Sequence, residues 1–345
     1  MLARSGARPL LIERAAEARD VVCGGFLGWD ALAALERLGI DPLALGARPI
    51  GRLRLFAGQR HAEAALPHPA AGLSRRTLDE ALLTAAKVAG GAVERGIAAR
   101  HGEGCALQLA DGARLEGEAL FLATGKHELR GLARPRAASG EDPAVGLRTH
   151  LSPSPVLDKA LHGVIELHLF ERGYAGLLLQ EDGSANLCLS VAASRLAEAG
   201  GKPEALIALL EQEAPALAAR LGAAPATGKW LAISGVPYGW RATDTAPGLF
   251  RLGDQATVIA SLAGDGIAIA LGSGRMAAEH YLRAGAAGAV AYQRAFARRS
   301  ARPVRIAGVL RALGEGHLIA PPLLALFGRF PGIAPLLARF TRIGS

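Results

Sequence analysis

Residues Leu249–Arg275 read LFRLGDQATVIASLAGDGIAIALGSGR, an apolar strand followed by a glycine-flanked loop and a helix. The predicted strand, Phe250–Leu252, delivers Gly253 and Asp254 at its C-terminal end, where α/β sheets bind ligands. Ten residues after Asp254, Gly264-Asp265-Gly266 opens the helix, whose free N–H groups and positive dipole end favour an anionic or electron-rich group. Asp254 is placed to hold a polyol hydroxyl. The stretch therefore predicts an α/β protein with a ligand site at this strand end.

Two further strand ends carry candidate binding residues. Arg8–Glu13 (RPLLIE) is a predicted buried strand ending in an acid, which in a doubly wound sheet can accept hydrogen bonds from a ribose hydroxyl. An ordinary surface acid gives the same pattern. Leu120–Gly125 (LFLATG) ends in the small residues Thr124 and Gly125, which allow a backbone to approach a ligand closely. A plain turn out of the strand fits that pattern equally well.

The order of helix and strand patterns predicts the fold class. Apolar residues at helical spacing predict helices over Asp30–Leu38 and Arg75–Ala89, the second with Ser74 as its N-cap, and short strand patterns flank both helices. Residues 146–191 instead show strand patterns alone. We predict an α/β fold, Rossmann-like, with an inserted antiparallel β-sheet domain and a helical C-terminus. The predicted boundaries are 1–50, 74–145 and 236–290 for the discontinuous α/β domain, 51–73 and 146–235 for the sheet domain, which would bind substrate, and 291–345 for a helical basic segment.

Composition narrows the function classes. The chain has 345 residues, of which 50% are hydrophobic and 20% charged, and this excludes a disordered, collagen-like or coiled-coil protein. Its three cysteines are widely spaced, and its nine histidines, with His61 and His68 assigned to a loop, lack metal-ligand spacing, so we expect no metal site. The sequence shows no signal peptide and no apolar run of about 18 residues, and we expect a cytoplasmic protein.

The net charge of +8 is concentrated at the C-terminus. Residues 294–345 hold nine arginines and one acid, Glu315, so residues 1–293 are neutral overall. Because these arginines stand beside apolar stretches in one segment, we expect no nucleic-acid partner. Two interpretations stay open: helices that cap the α/β domain, or peripheral contact of residues 294–345 with a membrane.

Several stretches together resemble one family. RLGDQATVIASLAGDGIAIALGSGRMAAE is similar to the C-terminal flavin motif of the para-hydroxybenzoate-hydroxylase-like superfamily, which includes FAD-dependent group A monooxygenases, geranylgeranyl reductases and tryptophan halogenases. LLIER with VCGGFLGWDALAALERLG most closely resembles the geranylgeranyl-reductase branch, where Cys-Gly-Gly follows the acidic strand. SRRTLDEALLTAA resembles the helix that begins with a flavin-contacting Arg, and LFLATGKHELRG takes the place of the middle strand-and-Gly motif.

The resemblance implies FAD as cofactor and a role for each matching position. Glu13 would bind the adenosine ribose, Arg75 the pyrophosphate or ribityl region, and Asp254 the ribityl chain. The backbone N–H groups near the start of the 264–282 helix would stabilise negative charge on the reduced flavin. The full set of implied cofactor-binding residues is Glu13, Arg14, Cys23, Gly24, Arg75, Thr124, Gly125, Gly253, Asp254, Gly264, Asp265, Gly266 and Ile267.

The sequence also departs from the family pattern. No strand–GxGxxG–helix precedes Glu13, so the resemblance implies an N-terminally truncated FAD domain or a start at an internal Met of a longer reading frame. The ATG at 123–125 replaces an Asp-Gly pair, which weakens the case for NADPH use. Ser261 stands where the family often has Pro beside the flavin. The reductase Tyr-x-Trp-x-Phe-Pro motif is reduced to Tyr174 with Gly176 in place of Trp, and the halogenase Trp-x-Trp-x-Ile-Pro motif is missing.

These observations lead to one functional hypothesis with alternatives. We expect an FAD-dependent oxidoreductase, monooxygenase-like, that acts on a hydrophobic small molecule, with NAD(P)H as a candidate electron donor. Tyr174, Tyr238 and Trp240 are the candidate substrate-pocket residues. One alternative is a geranylgeranyl-reductase-like alkene reductase. The other is a non-enzymatic remnant that cannot hold FAD.

Overall fold

A computed structural model describes residues 1–135 and 141–316, together with Leu324 and Arg342. Elements are numbered in chain order. The strands are β1 (Leu10–Glu13), β2 (Phe26–Leu27), β3 (Arg48–Ala57), β4 (Arg60–Gly72), β5 (Ala92–Arg95), β6 (Ala99–Glu103), β7 (Ala106–Leu109), β8 (Arg114–Glu116), β9 (Leu120–Leu122), β10 (Ala144–Leu151), β11 (Gly163–Phe170), β12 (Gly173–Leu179), β13 (Ala185–Ala192), β14 (Leu231–Val236) and β15 (Leu249–Arg251). The α-helices are α1 (Trp29–Arg37), α2 (Arg75–Val88), α3 (Pro155–Leu161), α4 (Ala193–Glu198), α5 (Pro203–Glu213), α6 (Pro215–Gly222), α7 (Gly266–Ala284) and α8 (Gly288–Glu315).

An eight-stranded sheet forms the largest element of the fold. Its strand order is β14-β10-β13-β12-β11-β3-β4-β2, and every pair is antiparallel except β11 with β3. Successive side chains alternate between the two faces of a strand. One face packs against α3, α5 and α6 through a leucine-rich core that includes Leu177, Leu187 and Leu206. The other face carries Tyr174 and Ser190, and it looks toward the strand ends described below.

The parallel part of the fold consists of two separate strand pairs. β1 pairs with β5, and β9 pairs with β15, while no hydrogen bond joins the two pairs within the described residues. Leu10 and Leu11 of β1 are exposed, as expected for a strand with one unpaired side. The predicted α/β class is confirmed, and the parallel sheet is divided at this point.

Local sequence explains the helices that flank these pairs. α2 begins after Ser74, whose hydroxyl accepts a hydrogen bond from the backbone N–H of Thr77, as predicted for an N-cap. α1 buries Ala31 and Leu35 against the cluster that also contains Leu78 of α2. The predicted helices near 30–38 and 75–89 are therefore confirmed.

Two sequence assignments differ from the structure. The stretch that holds His61 and His68 was expected to be a loop, but it forms the thirteen-residue strand β4, which pairs with β3 along most of its length. Alanines and the prolines Pro67 and Pro69 hide the alternation that marks a strand, and a register shift near Ile50 accommodates them. The helix α3 also interrupts the predicted run of strands between β10 and β11.

The C-terminal region begins with α8, which continues through a buried proline, Pro303. Within the residues that the structure covers, no helix combines the length and apolar character needed to traverse a bilayer. The predicted basic segment beyond Gly316 lies outside the described residues, apart from Leu324 and Arg342. The division of the chain into domains stays a prediction.

Candidate functional site

The ends of β9 and β15 come together and hold a charged pair. Lys126, just after β9, places its Nζ 3.3 Å from Oδ2 of Asp254, just after β15. Gln255 ties the two loops together, because its Nε2 donates to the carbonyl oxygens of Gly125 and His127, each at 3.0 Å. The Asp254 side chain is only 20% exposed, so the surrounding chain covers most of it. We call the space bordered by Lys126, Asp254 and the start of α7 the cleft. Parallel strands end at the same edge of a sheet, which explains this convergence.

Lys126 is the electrostatic centre of this cluster. The Asp254 carboxylate raises the pKa of Lys126, with smaller contributions from Cys23 and Tyr238, although burial acts in the opposite direction. The Cys-Gly-Gly loop and Tyr238 therefore lie near the β9–β15 loops. Lys126 therefore stays protonated at neutral pH and can donate hydrogen bonds to an anionic or polyol ligand in the cleft.

The helix start beside Asp254 is held in place by glycines and by one serine. Gly253 has a left-handed φ of 54°, and its N–H donates to the Ser273 hydroxyl of α7 at 2.8 Å. Gly264 has a φ of 71°, and a Cβ there would lie 2.8 Å from the Phe26 ring, so glycine is required. α7 then begins at Gly266, with Ile267 packed into the cluster that α1 and α2 share. The first N–H groups of α7 have no partner within the helix.

Three glycines from different parts of the chain face open space. A Cβ built on Gly24, Gly125 or Gly266 would meet no atom within 4 Å. The Gly24 carbonyl is fixed by the Asn186 side chain, whose Nδ2 donates to it at 2.7 Å and to the Cys23 carbonyl at 3.1 Å. Backbone can thus be approached closely by a ligand on these three sides.

Arg75 occupies the first position of α2 and lies beside the Cys-Gly-Gly loop. Its guanidinium makes two 2.9 Å hydrogen bonds to the Asp79 carboxylate one turn later. Burial alone would lower the pKa of Arg75, but the neighbouring Cys23 and Asp79 side chains raise it. The Arg75 side chain is half-buried, and part of its guanidinium is paired with the Asp79 carboxylate.

Asp265, at the N-cap of α7, is fully buried. Its carboxylate forms an ion pair with Arg342, whose guanidinium lies 4.2 Å from the centroid of the Trp29 ring. Burial lowers the pKa of Arg342 to about 10, which still leaves it protonated at neutral pH. The side chain of Asp265 therefore forms a buried ion pair, which leaves only its backbone available to a ligand.

Glu13 and Arg14 lie at the end of β1, in the other strand pair. One Glu13 carboxylate oxygen accepts a hydrogen bond from the N–H of Ala15 at 2.7 Å, so it caps its own turn. Arg14 reaches across to His127, with 2.9 Å between NH2 and Nε2. Thr124 donates its hydroxyl hydrogen to the His127 carbonyl at 2.7 Å. These residues mark the far side of the cleft from α7.

The three candidate pocket residues are linked through Tyr238. The Tyr174 hydroxyl of β12 and the Tyr238 hydroxyl lie 2.5 Å from the same atom, the Ser261 Oγ. The Tyr238 ring and Trp240 both pack against the cluster that contains Val236 and Val258, and the Arg134 guanidinium lies over the Trp240 ring. Tyr174 and Tyr238 therefore share one polar group, whereas the contacts of Trp240 are hydrophobic and cation–π.

A flavin can be tested against these residues. The ribityl and ring half matches what is present: a protonated Lys126, the Asp254 carboxylate, open space before Gly24, Gly125 and Gly266, and the free N–H groups of α7. The dinucleotide half does not match. A pyrophosphate is usually cradled by a strand–Gly-rich turn–helix unit in the middle of the sheet, and among the described residues no strand lies between β1 and β9.

Sequence reasoning missed Lys126, Gln255 and Asn186, and it noted Ser261 only as a departure from a family pattern. Lys126 could have been found, since it follows directly on the ATG at a predicted strand end. Asn186 lies within a strand of alternating pattern, where its side chain points to the face opposite the leucine core. Gln255 gives no such signal, because its partners lie 128 and 130 residues away. No group of metal-binding side chains occurs in the part of the chain that the structure describes.

Comparison with known proteins gives similar structures only. No protein-family model and no curated protein sequence matches this chain. PqsL from Pseudomonas aeruginosa, described as a probable FAD-dependent monooxygenase, is 16% identical over 94% of each chain, with a TM-score of 0.70. The flavin-dependent brominase Bmp2 is 16% identical over 98% of this chain and 88% of its own, with a TM-score of 0.75.

A third similar structure comes from Thermoplasma acidophilum. It is a geranylgeranyl bacteriochlorophyll reductase-like protein, 17% identical over 95% of this chain and 86% of its own, with a TM-score of 0.74. All three similarities extend over nearly the whole chain. The chain therefore shares its fold with these three proteins, as the sequence motifs predicted.

Proposed function

We propose that this protein is a flavin-dependent oxidoreductase, with FAD as cofactor, that acts on a hydrophobic small molecule. The observation that carries the proposal is the convergence of Lys126 and Asp254 with the open start of α7. Three structurally similar proteins named as flavin enzymes or reductases support it, although their low identity limits that support to the fold.

Each group at the cleft has a defined task in this proposal. Asp254 would accept hydrogen bonds from the ribityl hydroxyls, and Lys126, paired with Asp254, would offer its remaining N–H donors. The N–H groups of Gly266 and Ile267 would stabilise negative charge added to the ring. Arg75 and the Cys23–Gly24 backbone bound the opposite side. A bound flavin supplies two-electron redox chemistry that side chains lack.

The proposed reaction is monooxygenation. One oxygen atom of O₂ enters the substrate, the other leaves as water, and two electrons come from a reduced nicotinamide, NAD(P)H. The protein contributes binding, orientation and exclusion of water, so no acid–base pair needs to stand in the cleft. Alkene reduction of the geranylgeranyl-reductase type is the alternative, and we place it second because β12 carries Gly176 where that branch has Trp.

A specific observation favours a second, different candidate. The parallel sheet is split between β1 and β9, and two-stranded sheets are marginally stable in isolation. A chain in which no strand joins β1 to β9 can fold around its hydrophobic core and still not bind a dinucleotide. The second candidate is therefore a folded, non-enzymatic remnant that binds no FAD.

Titration of the purified chain with FAD, followed by flavin fluorescence and by calorimetry, separates these candidates. We expect the wild-type chain to take up one flavin and Asp254→Asn to bind it at least about tenfold more weakly, the size of one lost hydrogen bond to a charged group. Asp244→Asn is the matched control, since Asp244 is an exposed acid in the loop before β15. It should bind flavin as the wild type does.

The outcomes assign the function. Wild-type uptake that Asp254→Asn weakens and Asp244→Asn does not supports the flavin enzyme. A wild-type chain that is folded by circular dichroism yet takes up neither FAD nor FMN supports the remnant. Oxygen consumption with NAD(P)H by the loaded protein, compared with anaerobic reduction of an added alkene, then distinguishes oxygenation from reduction.

A further inference from the structure

Three hydroxyl groups meet next to the start of α7. The Tyr174 O–H donates to Ser261 Oγ at 2.5 Å, and the Tyr238 hydroxyl lies 2.5 Å from the same oxygen. Ser190 of β13 extends the group, with its Oγ 3.3 Å from the Tyr238 hydroxyl. We call Tyr174, Tyr238, Ser190 and Ser261 the hydroxyl cluster. Its members come from β12, β13 and the two loops on either side of β15.

Ser261 is the member that faces outward. A serine hydroxyl can donate one hydrogen bond and accept two, and the two tyrosines use two of these three positions. Ser261 is exposed, whereas Tyr174 and Ser190 are buried, so the third position points to the open side. Ser261 also begins the short 3-10 helix Ser261–Ala263 that leads directly into Gly264, so a group bound to it would lie beside the open start of α7.

The surroundings of the hydroxyl cluster are apolar. Tyr174 packs with Leu55, Leu167, Leu169 and Leu262 on the sheet face that looks toward α7. Leu55 and Leu262 are only partly buried. A ligand bound to Ser261 would therefore meet hydrocarbon next to the hydroxyls.

The charge near the hydroxyl cluster is balanced. Arg311 of α8 lies over the Tyr238 ring, 4.6 Å from its centroid, and its Nε donates to the Glu315 carboxylate at 2.7 Å. These two side chains line a cavity of about 300 Å³ together with Tyr238 and Gly239. Because Glu315 neutralises Arg311, the hydroxyl cluster gives no net attraction for an anion.

We infer that Ser261, supported by Tyr174 and Tyr238, determines substrate specificity by binding one neutral oxygen atom, a hydroxyl or a carbonyl, on an otherwise apolar molecule. The inference rests on the proposed function for the location of the reaction, and it adds the chemical class of the substrate. A hydrocarbon without an oxygen leaves the hydroxyl unpaired, and a carboxylate finds the nearby cations Arg311 and Lys126 already paired with Glu315 and Asp254.

Three probes that share a butylphenyl frame and differ in the para group test this inference: 4-butylphenol, butylbenzene and 4-butylbenzoate. Calorimetric titration measures their binding both to the chain alone and to the chain with FAD added, so the result does not depend on flavin uptake. We expect 4-butylphenol to bind about tenfold more tightly than butylbenzene, the effect of one good hydrogen bond, and 4-butylbenzoate to bind most weakly. Ser261→Ala should remove the preference for the phenol and leave butylbenzene binding unchanged.

Tyr174→Phe is the second variant, because it keeps the ring that fills the buried site and removes only the supporting hydroxyl. It should reduce the preference for the phenol by a smaller factor than Ser261→Ala. Ser154→Ala, which removes a hydroxyl bonded to the Ala223 carbonyl at the start of α3, is the control and should behave as the wild type. Flavin uptake by Tyr174→Phe and Ser154→Ala should equal that of the wild type.

Two results would overturn the inference. One is a Ser261→Ala variant that still prefers 4-butylphenol over butylbenzene as strongly as the wild type. The other is a wild-type chain that binds 4-butylbenzoate most tightly. Loss of flavin uptake with the probe preferences intact would count against the proposed function instead.

Discussion

Substituting FMN for FAD tests how the two halves of the cleft differ. FMN keeps the ring, the ribityl chain and one phosphate, and it lacks the adenosine half of FAD. The residues that match the retained half, Lys126 and Asp254, stand at the ends of β9 and β15. At the other half, Glu13 already accepts a hydrogen bond from Ala15, and no strand joins β1 to β9 within the described ranges. We therefore expect FMN and FAD to bind with similar affinity.

The size of the expected difference follows from hydrogen-bond energies. A bond from a backbone N–H to a charged phosphate contributes about 1.5–3 kcal/mol, so a cradle of two such bonds would favour FAD by about a hundredfold or more. Without that cradle, the remaining adenosine contacts should give a preference of less than about tenfold. The assay is paired titration of the same protein preparation with each flavin, at one salt concentration, followed by fluorescence quenching.

A companion variant locates whatever preference remains. Because the family resemblance gives Glu13 the adenosine ribose, Glu13→Gln should weaken FAD binding slightly and leave FMN binding unchanged. An FAD affinity more than about a hundredfold above that of FMN would refute the reasoning. It would mean that residues other than a strand–Gly-rich turn–helix unit bind the pyrophosphate.

Two further predictions follow from the sheets. Glu166 of β11 is fully buried and accepts hydrogen bonds from His168, Arg220 and Arg54, which lower its pKa to about 2 although burial opposes the shift. Its ionised form thus contributes about 3 kcal/mol to stability above pH 4.5, lost as the pH falls toward 2. Glu166→Gln should lose a similar amount at pH 7 and show a smaller loss between pH 5 and pH 3 by urea unfolding; an unchanged acid profile would contradict this. Separately, fusing a strand–Gly-x-Gly-x-x-Gly–helix segment ahead of Met1 should raise both the melting temperature and the FAD preference over FMN, while the same segment with Val in place of each Gly should not raise that preference.

Local signals account for the elements that the sequence predicted. The N-cap at Ser74 and the strand and glycine-flanked loop before α7 each depend on residues within a few positions of one another. β4 could not be predicted in this way, because its own residues have low strand propensity and it forms a strand through its hydrogen bonds to β3. Its alanines are compatible with a strand only once β3 lies beside them.

The candidate site divides along the same line. Asp254 and the α7 start were predictable because strand, acid and glycines lie within one short stretch. The Lys126–Asp254 pair joins positions 128 residues apart, and the Tyr174–Ser261 bond spans 87 residues. Such contacts depend on where the sheet and the strand ends finally lie. The sequence could therefore indicate the cofactor class and not the group that recognises the substrate.

The two halves of the cleft differ in how firmly they are supported. α7 packs against α8, α1 and the β15 end, and Ser273 fixes the Gly253 turn, so the ring side is preorganised before any ligand arrives. The β1–β5 pair has exposed leucines at positions 10 and 11 and two strands only, so the adenosine side has little to hold it. If the proposed function holds, we expect the β1 side to limit flavin affinity and Ser261 with the large sheet to determine substrate selectivity. Because these properties rest on different strands, a change that weakens flavin binding can leave the hydroxyl cluster intact, and the two must be measured on the same variants.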